Sequence, residues 1–184
     1  MSFGRSTKQK TPLSEPALYD YAVKALGRRM RSEMELRRSM TSVVAPGALG
    51  RAAIGRVVKR LKDHGYLNDA SFAETYARLR QENEKLGARR VRQNLRQKGV
   101  RSDVVEQAVE ARYGEANEEV LARQHLERKG IRKPTNEKES ARVVRRLVAA
   151  GFSTGVIYKI LRQWDVPEEE LAGLESMNTE LHEE

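Results

Sequence analysis

The chain has 184 residues, enough for one medium domain or several small ones in tandem, and is 39% hydrophobic, 33% charged and only 5% aromatic. It contains no cysteine, which excludes disulfide scaffolds, thiolate zinc sites and cysteine nucleophiles. The formal net charge is +9, and residues 165–184 carry 8 of the 26 acidic side chains and no Lys or Arg, so the remainder is a strongly basic body suited to polyanions or acidic protein surfaces.

Residues 1–14 are polar, carry three basic groups and show no periodicity, and so read as a flexible basic arm. Beyond them, apolar residues recur at i, i+3, i+4 and i+7, the spacing of a helix with one buried face. This predicts a helix over 16–30 with Tyr19, Ala22, Val23 and Leu26 inward. A short helix follows over 32–40, then one over 49–64 with Ile54, Val57, Val58 and Leu61 inward. The next group is predicted over 69–85, 88–98 and 103–113, and the last over 116–129, 137–150 and 154–164. Strict alternation over strand-length windows does not occur, so the expected fold class is all-α. No apolar run is long enough for a membrane span or a signal-peptide core, and a soluble, cytoplasmic protein is expected.

A repeat of about fifty residues organises these helices. At an offset of 52, Leu95 matches Leu147, Gly99 matches Gly151, Val100 matches Phe152, Val104-Val105 match Val156-Ile157, and Val109 matches Leu161. In both copies a helix ends at Gly, which suits a left-handed C-terminal cap; an apolar residue follows, and Ser opens the next helix as an expected N-cap. The first copy is more divergent: Leu36 and Met40 match Val91 and Leu95, while its turn, Val43 to Gly47, departs from the pattern. The expected layout is a basic arm (1–14), three three-helix repeats (16–67, 68–116 and 117–164) and an acidic C-terminal tail (165–184). A unit of this size buries little alone, so the repeats are expected to pack end to end in an elongated, curved array.

The central stretch is distinctive. Gly65-Tyr66-Leu67-Asn68-Asp69 forms a turn, in which Gly65 can end one helix, Tyr66 and Leu67 can pack beneath the junction, and Asn68 can cap the next. Phe72, Ala73 and Tyr76 follow on a helix, where Phe72, Tyr76 and Leu79 share a face and both aromatics read as core packing. Gly87-Ala88-Arg89-Arg90-Val91 then opens a helix that closes on Lys98-Gly99-Val100. In this order and spacing, these pieces resemble the signature of RecX regulatory proteins, and the three-unit layout extends the resemblance over about residues 16–164. The resemblance implies a protein that binds the RecA–DNA filament and inhibits strand exchange and the associated ATP hydrolysis, with consequences for recombination, DNA repair and the SOS response. Asn68 departs from the family pattern, in which an acidic residue is common.

Arginines supply the candidate partner or nucleic-acid contacts. Arg89, Arg92 and Arg96 form a stripe beside the apolar face of Ala88, Val91 and Leu95, and Lys98 follows at the helix end. The equivalent helices carry Arg37 and Arg38 in the first repeat, and Arg142, Arg145 and Arg146 in the third. Guanidinium forks suit phosphates or carboxylates. The outer repeats are the more basic, with 11 basic to 4 acidic groups over 16–67 and 11 to 5 over 117–164, against 10 to 8 over 68–116. The acidic tail reads either as a solvated end or as a segment competing with DNA for the basic body.

Catalysis finds no support. His64, His125 and His182 are scattered without ligand spacing, and neither a phosphate-binding Gly-x-x-x-x-Gly-Lys-Ser/Thr loop nor a Gly-x-Ser-x-Gly elbow is present. No cofactor or metal is expected, and a monomer is. The alternative to a filament regulator is a direct, largely sequence-independent DNA-binding protein. Its Gly99 and Gly151 junctions would act as helix-turn-helix corners, and weak, salt-sensitive binding to single- or double-stranded DNA fits both readings. A helical scaffold for another partner is the third class.

Overall fold

The computed structural model describes residues 11–180, with side chains described through residue 174. Arg5, Lys8 and Lys10 of the predicted arm, and His182 of the tail, lie outside these bounds. The described residues form ten helices and no strand. They are α1 (Glu15–Arg28), α2 (Glu33–Thr41), α3 (Ala48–Asp63), α4 (Asp69–Glu84), α5 (Ala88–Gln97), α6 (Ser102–Tyr113), α7 (Glu118–Arg128), α8 (Glu137–Ala150), α9 (Thr154–Gln163) and α10 (Glu168–Glu180). No helix among the described residues is long and apolar enough to cross a membrane. The chain divides into two compact units with a boundary inside α4. One runs through Phe72 and includes Lys98–Val100; the other holds Ala73–Gln97 and everything from Arg101 onward.

In the first unit, α1 to α3 enclose a core of Leu18, Ala22, Ala25, Leu36, Met40, Ile54, Val57, Val58, Leu61 and Leu67. The inward face of α1 is rotated from the sequence expectation. Leu18 and Ala25 join Ala22 inside, while Tyr19, Val23 and Leu26 are only partly buried. Tyr19 instead takes the Arg60 guanidinium over its ring at 4.2 Å and shares a 2.8 Å hydrogen bond with His64. Leu13 is tied down by its N–H, which donates to Val43 O at 2.8 Å, so the end of the predicted arm is anchored. At Gly65 the backbone turns left-handed (φ +73°) and Tyr66 N–H closes on Leu61 O at 2.9 Å, the expected helix stop. Leu67 is buried below this junction but Tyr66 is 58% exposed, correcting its expected packing role. Asn68 caps α4 through Oδ1, which accepts from Ala70 and Ser71 N–H.

In the second unit, the largest core joins Leu121, Leu126, Val143, Val144, Leu147, Phe152, Ile157, Ile160 and Leu161 from α7 to α9 with Val166, Leu171 and Leu174. The last two lie on α10. The start of the acidic segment is therefore a docked helix rather than a charged strand of solvent. On α4 the buried side chains are Phe72, Ala73 and Ala77, whereas Leu79 is 40% exposed and Tyr76 is partly buried, with Arg80 over its ring at 4.7 Å. Leu79 is thus not a core residue.

Positions matched by the repeat share their burial. Leu36, Met40, Val91, Leu95, Leu147, Val105, Ile157, Val109 and Leu161 are all fully enclosed. Gly99 and Gly151 both adopt positive φ, +77° and +90°, as a helix-ending glycine should. The serines differ from expectation. Ser102 is the first residue of α6, behind an Arg101 cap; Ser153 stands at the N-cap of α9, but its hydroxyl donates to Glu118 Oε2 at 2.7 Å instead of capping.

α5 and α8 meet at two glycines. Gly87 N–H donates to Ala150 O at 2.9 Å, and a Cβ on Gly87 would run into the Gly151 carbonyl and Phe152 N. A Cβ on Gly151 would likewise stand 2.6 Å from Arg90 Cβ. The absence of side chains lets the two backbones touch.

Candidate partner and nucleic-acid interface

The two arginines of α2 stand on a well-made helix start. Ser32 caps α2 with a reciprocal box: its Oγ accepts from Glu35 N–H at 3.1 Å, and Glu35 Oε2 accepts from Ser32 N–H at 3.2 Å. Glu33 gathers Arg37, at 2.7 Å, and Lys62. Burial opposes ionisation of Glu33, but Lys62 and Arg37 outweigh it and hold the carboxyl below its ordinary range. The same contest at Glu35 is won by Lys98, the Ser32 N–H and Arg29. Lys98 Nζ reaches Glu35 Oε1 at 2.8 Å, while the Lys98 carbonyl accepts from the Ser32 hydroxyl. Of the candidates in this unit, Arg37 and Lys98 are thus committed to internal ion pairs. Arg38 is exposed with no ion pair among the described residues.

The arginine stripe of α5 divides in the same way. Glu106 of α6 accepts from Arg92 Nε at 2.8 Å and from a terminal nitrogen of Arg96 at 2.7 Å, one carboxylate oxygen to each. These hydrogen bonds, from Arg92 first, lower the Glu106 pKa. Arg89 is exposed and makes no ion pair among the described residues. On α8 the buried face is Val143, Val144, Leu147 and Ala150, which leaves Arg142, Arg145 and Arg146 on the exposed side, none of them paired among the described residues. Among the described residues, the candidates without an ion pair are Arg38 in the first unit and Arg89, Arg142, Arg145 and Arg146 in the second.

The sequence reading missed a second basic element. The α7–α8 connection runs Lys129-Gly130-Ile131-Arg132-Lys133 and borders α8 at Arg142 and Arg146. Its signal was present, because Lys-Gly-aliphatic-Arg occurs both at 98–101 and at 129–132.

An all-α chain with these capped, glycine-stopped helices belongs to the class of all-helical proteins built from short helix groups, and comparison with known proteins says which family of that class it is. A family profile described as "RecX, second three-helix domain" matches residues 68–109, which span α4, α5 and most of α6. The regulatory protein RecX of Leptothrix cholodnii is 33% identical over 144 residues, covering 78% of this chain and 87% of that one. That of Cronobacter sakazakii is 33% identical over 156 residues, covering 80% and 92%. The chain belongs to the RecX family of regulatory proteins. It spans only 57% and 54% of the longer RecX proteins of Bacillus pumilus and Oceanobacillus iheyensis. Its fold is also that of the crystal structure of RecX from Lactobacillus salivarius, with a TM-score of 0.63 at 21% identity over 82% of this chain and 96% of that one.

Proposed function

We propose that this protein binds the RecA–DNA filament and restrains recombinase activity and its associated ATP hydrolysis, modulating recombination, DNA repair and the SOS response. It does so as a non-catalytic monomer of three three-helix repeats (16–67, 68–116 and 117–164). The observation that carries the reading is the set of exposed arginines that make no ion pair among the described residues, Arg38, Arg89, Arg142, Arg145 and Arg146, on a chain of the RecX family. Arg37 and Lys98 in the first unit, and Arg92 and Arg96 in the second, are held in ion pairs and become available only if a stronger anion displaces Glu33, Glu35 or Glu106. A filament offers both kinds of counter-charge, phosphate and acidic protein surface.

The test is RecA-dependent ATP hydrolysis on single-stranded DNA, titrated with the protein, beside a titration of the same DNA without RecA. Inhibition at protein levels far below RecA, with weak binding to naked DNA, is the expected result. Inhibition only at levels that coat the DNA would replace this reading with direct, sequence-independent DNA binding. No inhibition at any level would return the protein to a helical scaffold with another partner.

A further inference from the structure

A cleft of about 290 Å³ lies between the α7–α8 connection and the exposed side of α8. Its walls carry Lys129, Arg132 and Lys133 on one side and Arg142 and Arg146 on the other, with Glu139 the single acidic lining residue. Lys133 is paired with Asp165 at 2.8 Å, an exposed contact that an incoming anion can exchange. Lys129, Arg132, Arg142 and Arg146 make no ion pair among the described residues, while Glu33, Glu35, Glu106 and Glu119 each hold two or more cations. Glu139 offsets only part of this charge, with Arg142 in its field. Its Oε2 accepts from Thr135 N–H at 2.9 Å and the Thr135 hydroxyl at 3.0 Å, and these bonds keep it ionised at the head of α8.

The walls are fixed by the backbone. Gly130 turns left-handed at φ +63°, and Ile131 N–H closes on Leu126 O at 2.9 Å, which turns the chain out of α7. Pro134 is buried, and Asn136 caps α8 by accepting from Glu139 N–H at 3.0 Å. Arg142 and Arg146 are one turn apart on α8, a rise of about 6 Å.

The geometry points to a phosphodiester site: the cleft takes successive phosphates of a nucleic-acid strand, with Arg142 and Arg146 as forks and Lys129 and Arg132 closing from the opposite wall. This deepens the reading of a protein that meets nucleic acid within a filament, and it rests on that reading for the source of the phosphate. A run of phosphates fits this cleft better than a carboxylate, because one added carboxylate together with Glu139 still leaves half of the charge on Lys129, Arg132, Arg142 and Arg146 uncompensated. No aromatic side chain lines the cleft, so bases have nothing to stack on and binding is independent of sequence.

The experiment is fluorescence anisotropy of labelled oligothymidylate with the full chain and no recombinase, between about 50 and 200 mM salt. The double variant Arg142→Gln/Arg146→Gln is expected to weaken binding about tenfold or more. It should also lower the slope of log affinity against log salt by about 1.4, at about 0.7 per phosphate contact on a single strand. Lys24→Gln/Arg51→Gln removes the same charge from two exposed positions of the first unit and should leave the slope unchanged. Glu139→Gln, which keeps the acceptor for Thr135, should tighten binding about threefold. Because all three variants change partly or fully exposed side chains, unchanged circular dichroism and melting accompany a valid reading.

Equal losses in the cleft and control variants would overturn the site. So would displacement of oligothymidylate by polyglutamate at equal charge, which would make the cleft a carboxylate surface. The recombinase assay separates the two readings. A cleft variant that loses oligothymidylate but still inhibits the filament upholds the cleft and leaves filament binding to other contacts. A variant that keeps oligothymidylate but no longer inhibits overturns the phosphodiester site and leaves the filament reading standing.

Discussion

Replacing Gly87 by alanine sets two opposing effects against each other. In the unfolded chain, alanine has less conformational freedom than glycine, which favours the fold by about 0.4–1 kcal/mol wherever the native backbone accepts a side chain. Here the new methyl would meet Gly151 C at 2.5 Å and Phe152 N at 2.9 Å, both main-chain atoms that no rotamer can move aside. Reaching ordinary carbon contact requires α5 and α8 to part by about 1 Å. That separation breaks the 2.9 Å bond from Gly87 N–H to Ala150 O. The lost bond costs about 1 kcal/mol and the forced repacking about 1–3 kcal/mol more, so after the unfolded-chain gain a net destabilisation of about 1–3.5 kcal/mol is expected. Urea unfolding followed by far-ultraviolet circular dichroism measures it. Gly155→Ala, with nothing within 4 Å of its added Cβ, is the internal standard and should be neutral or stabilising. If Gly87→Ala matched or exceeded wild-type stability alongside Gly155→Ala, the close approach of these helices would be wrong.

Three further outcomes follow from the geometry. Leu171→Ala or Leu174→Ala, each removing a buried side chain of α10, should lower unfolding stability by about 2–4 kcal/mol, while Glu169→Gln on the exposed side should not; equal behaviour of the three would mean that α10 is undocked. Glu106→Gln should release Arg92 and Arg96 at a stability cost below about 1 kcal/mol, tighten oligothymidylate binding and steepen its salt dependence; weaker binding would show that the clamp presents the arginines rather than masking them. His125 is buried with its ring edge against Phe152, and Nδ1–H donates to Glu84 O at 3.1 Å. Burial first, then Lys129 and Arg128, lowers its pKa from 6.5, so the folded protein holds it neutral where the unfolded chain takes up a proton. Stability should be complete above about pH 6.5 and fall as the pH drops through that value toward the lower folded pKa, before the carboxylates titrate. His125→Gln should flatten urea midpoints between pH 7.5 and 5.5, and an unchanged pH dependence in that variant would remove His125 as the cause.

Those parts of the fold written in local rules were legible in the sequence. Gly65, Gly99 and Gly151 announced helix ends because a left-handed residue is nearly always glycine, and the matched apolar positions of the repeat found the core. The inward face of α4 was misread because small residues took it: Ala73 and Ala77 are fully buried, while Leu79 is 40% exposed. Charge obscured α10, although Leu171 and Leu174 stand three apart, which is the spacing of a helical face. The candidate arginines were found, but their states were not. Whether Arg92 is paired depends on Glu106, fourteen residues away on another helix, and no local pattern encodes that meeting. Likewise, the Lys129–Lys133 connection gains meaning only when Gly130 turns it toward Arg142 and Arg146.

The contact of Gly87 with the end of α8 also bears on how such a chain can be cut or recombined. The hydrogen bond it makes joins the head of a helix in the central repeat to the tail of one in the last, within a single compact unit. A gene duplication can create repeats like these, but once two copies share a backbone seam they stop being interchangeable parts. A graft that moved residues 117–164 into another protein would carry Gly151 without the glycine that receives it. Excising the central repeat alone would expose the bare Gly87 edge. The seam, and not the recurring pattern, thus sets the smallest piece of the chain that can be transplanted.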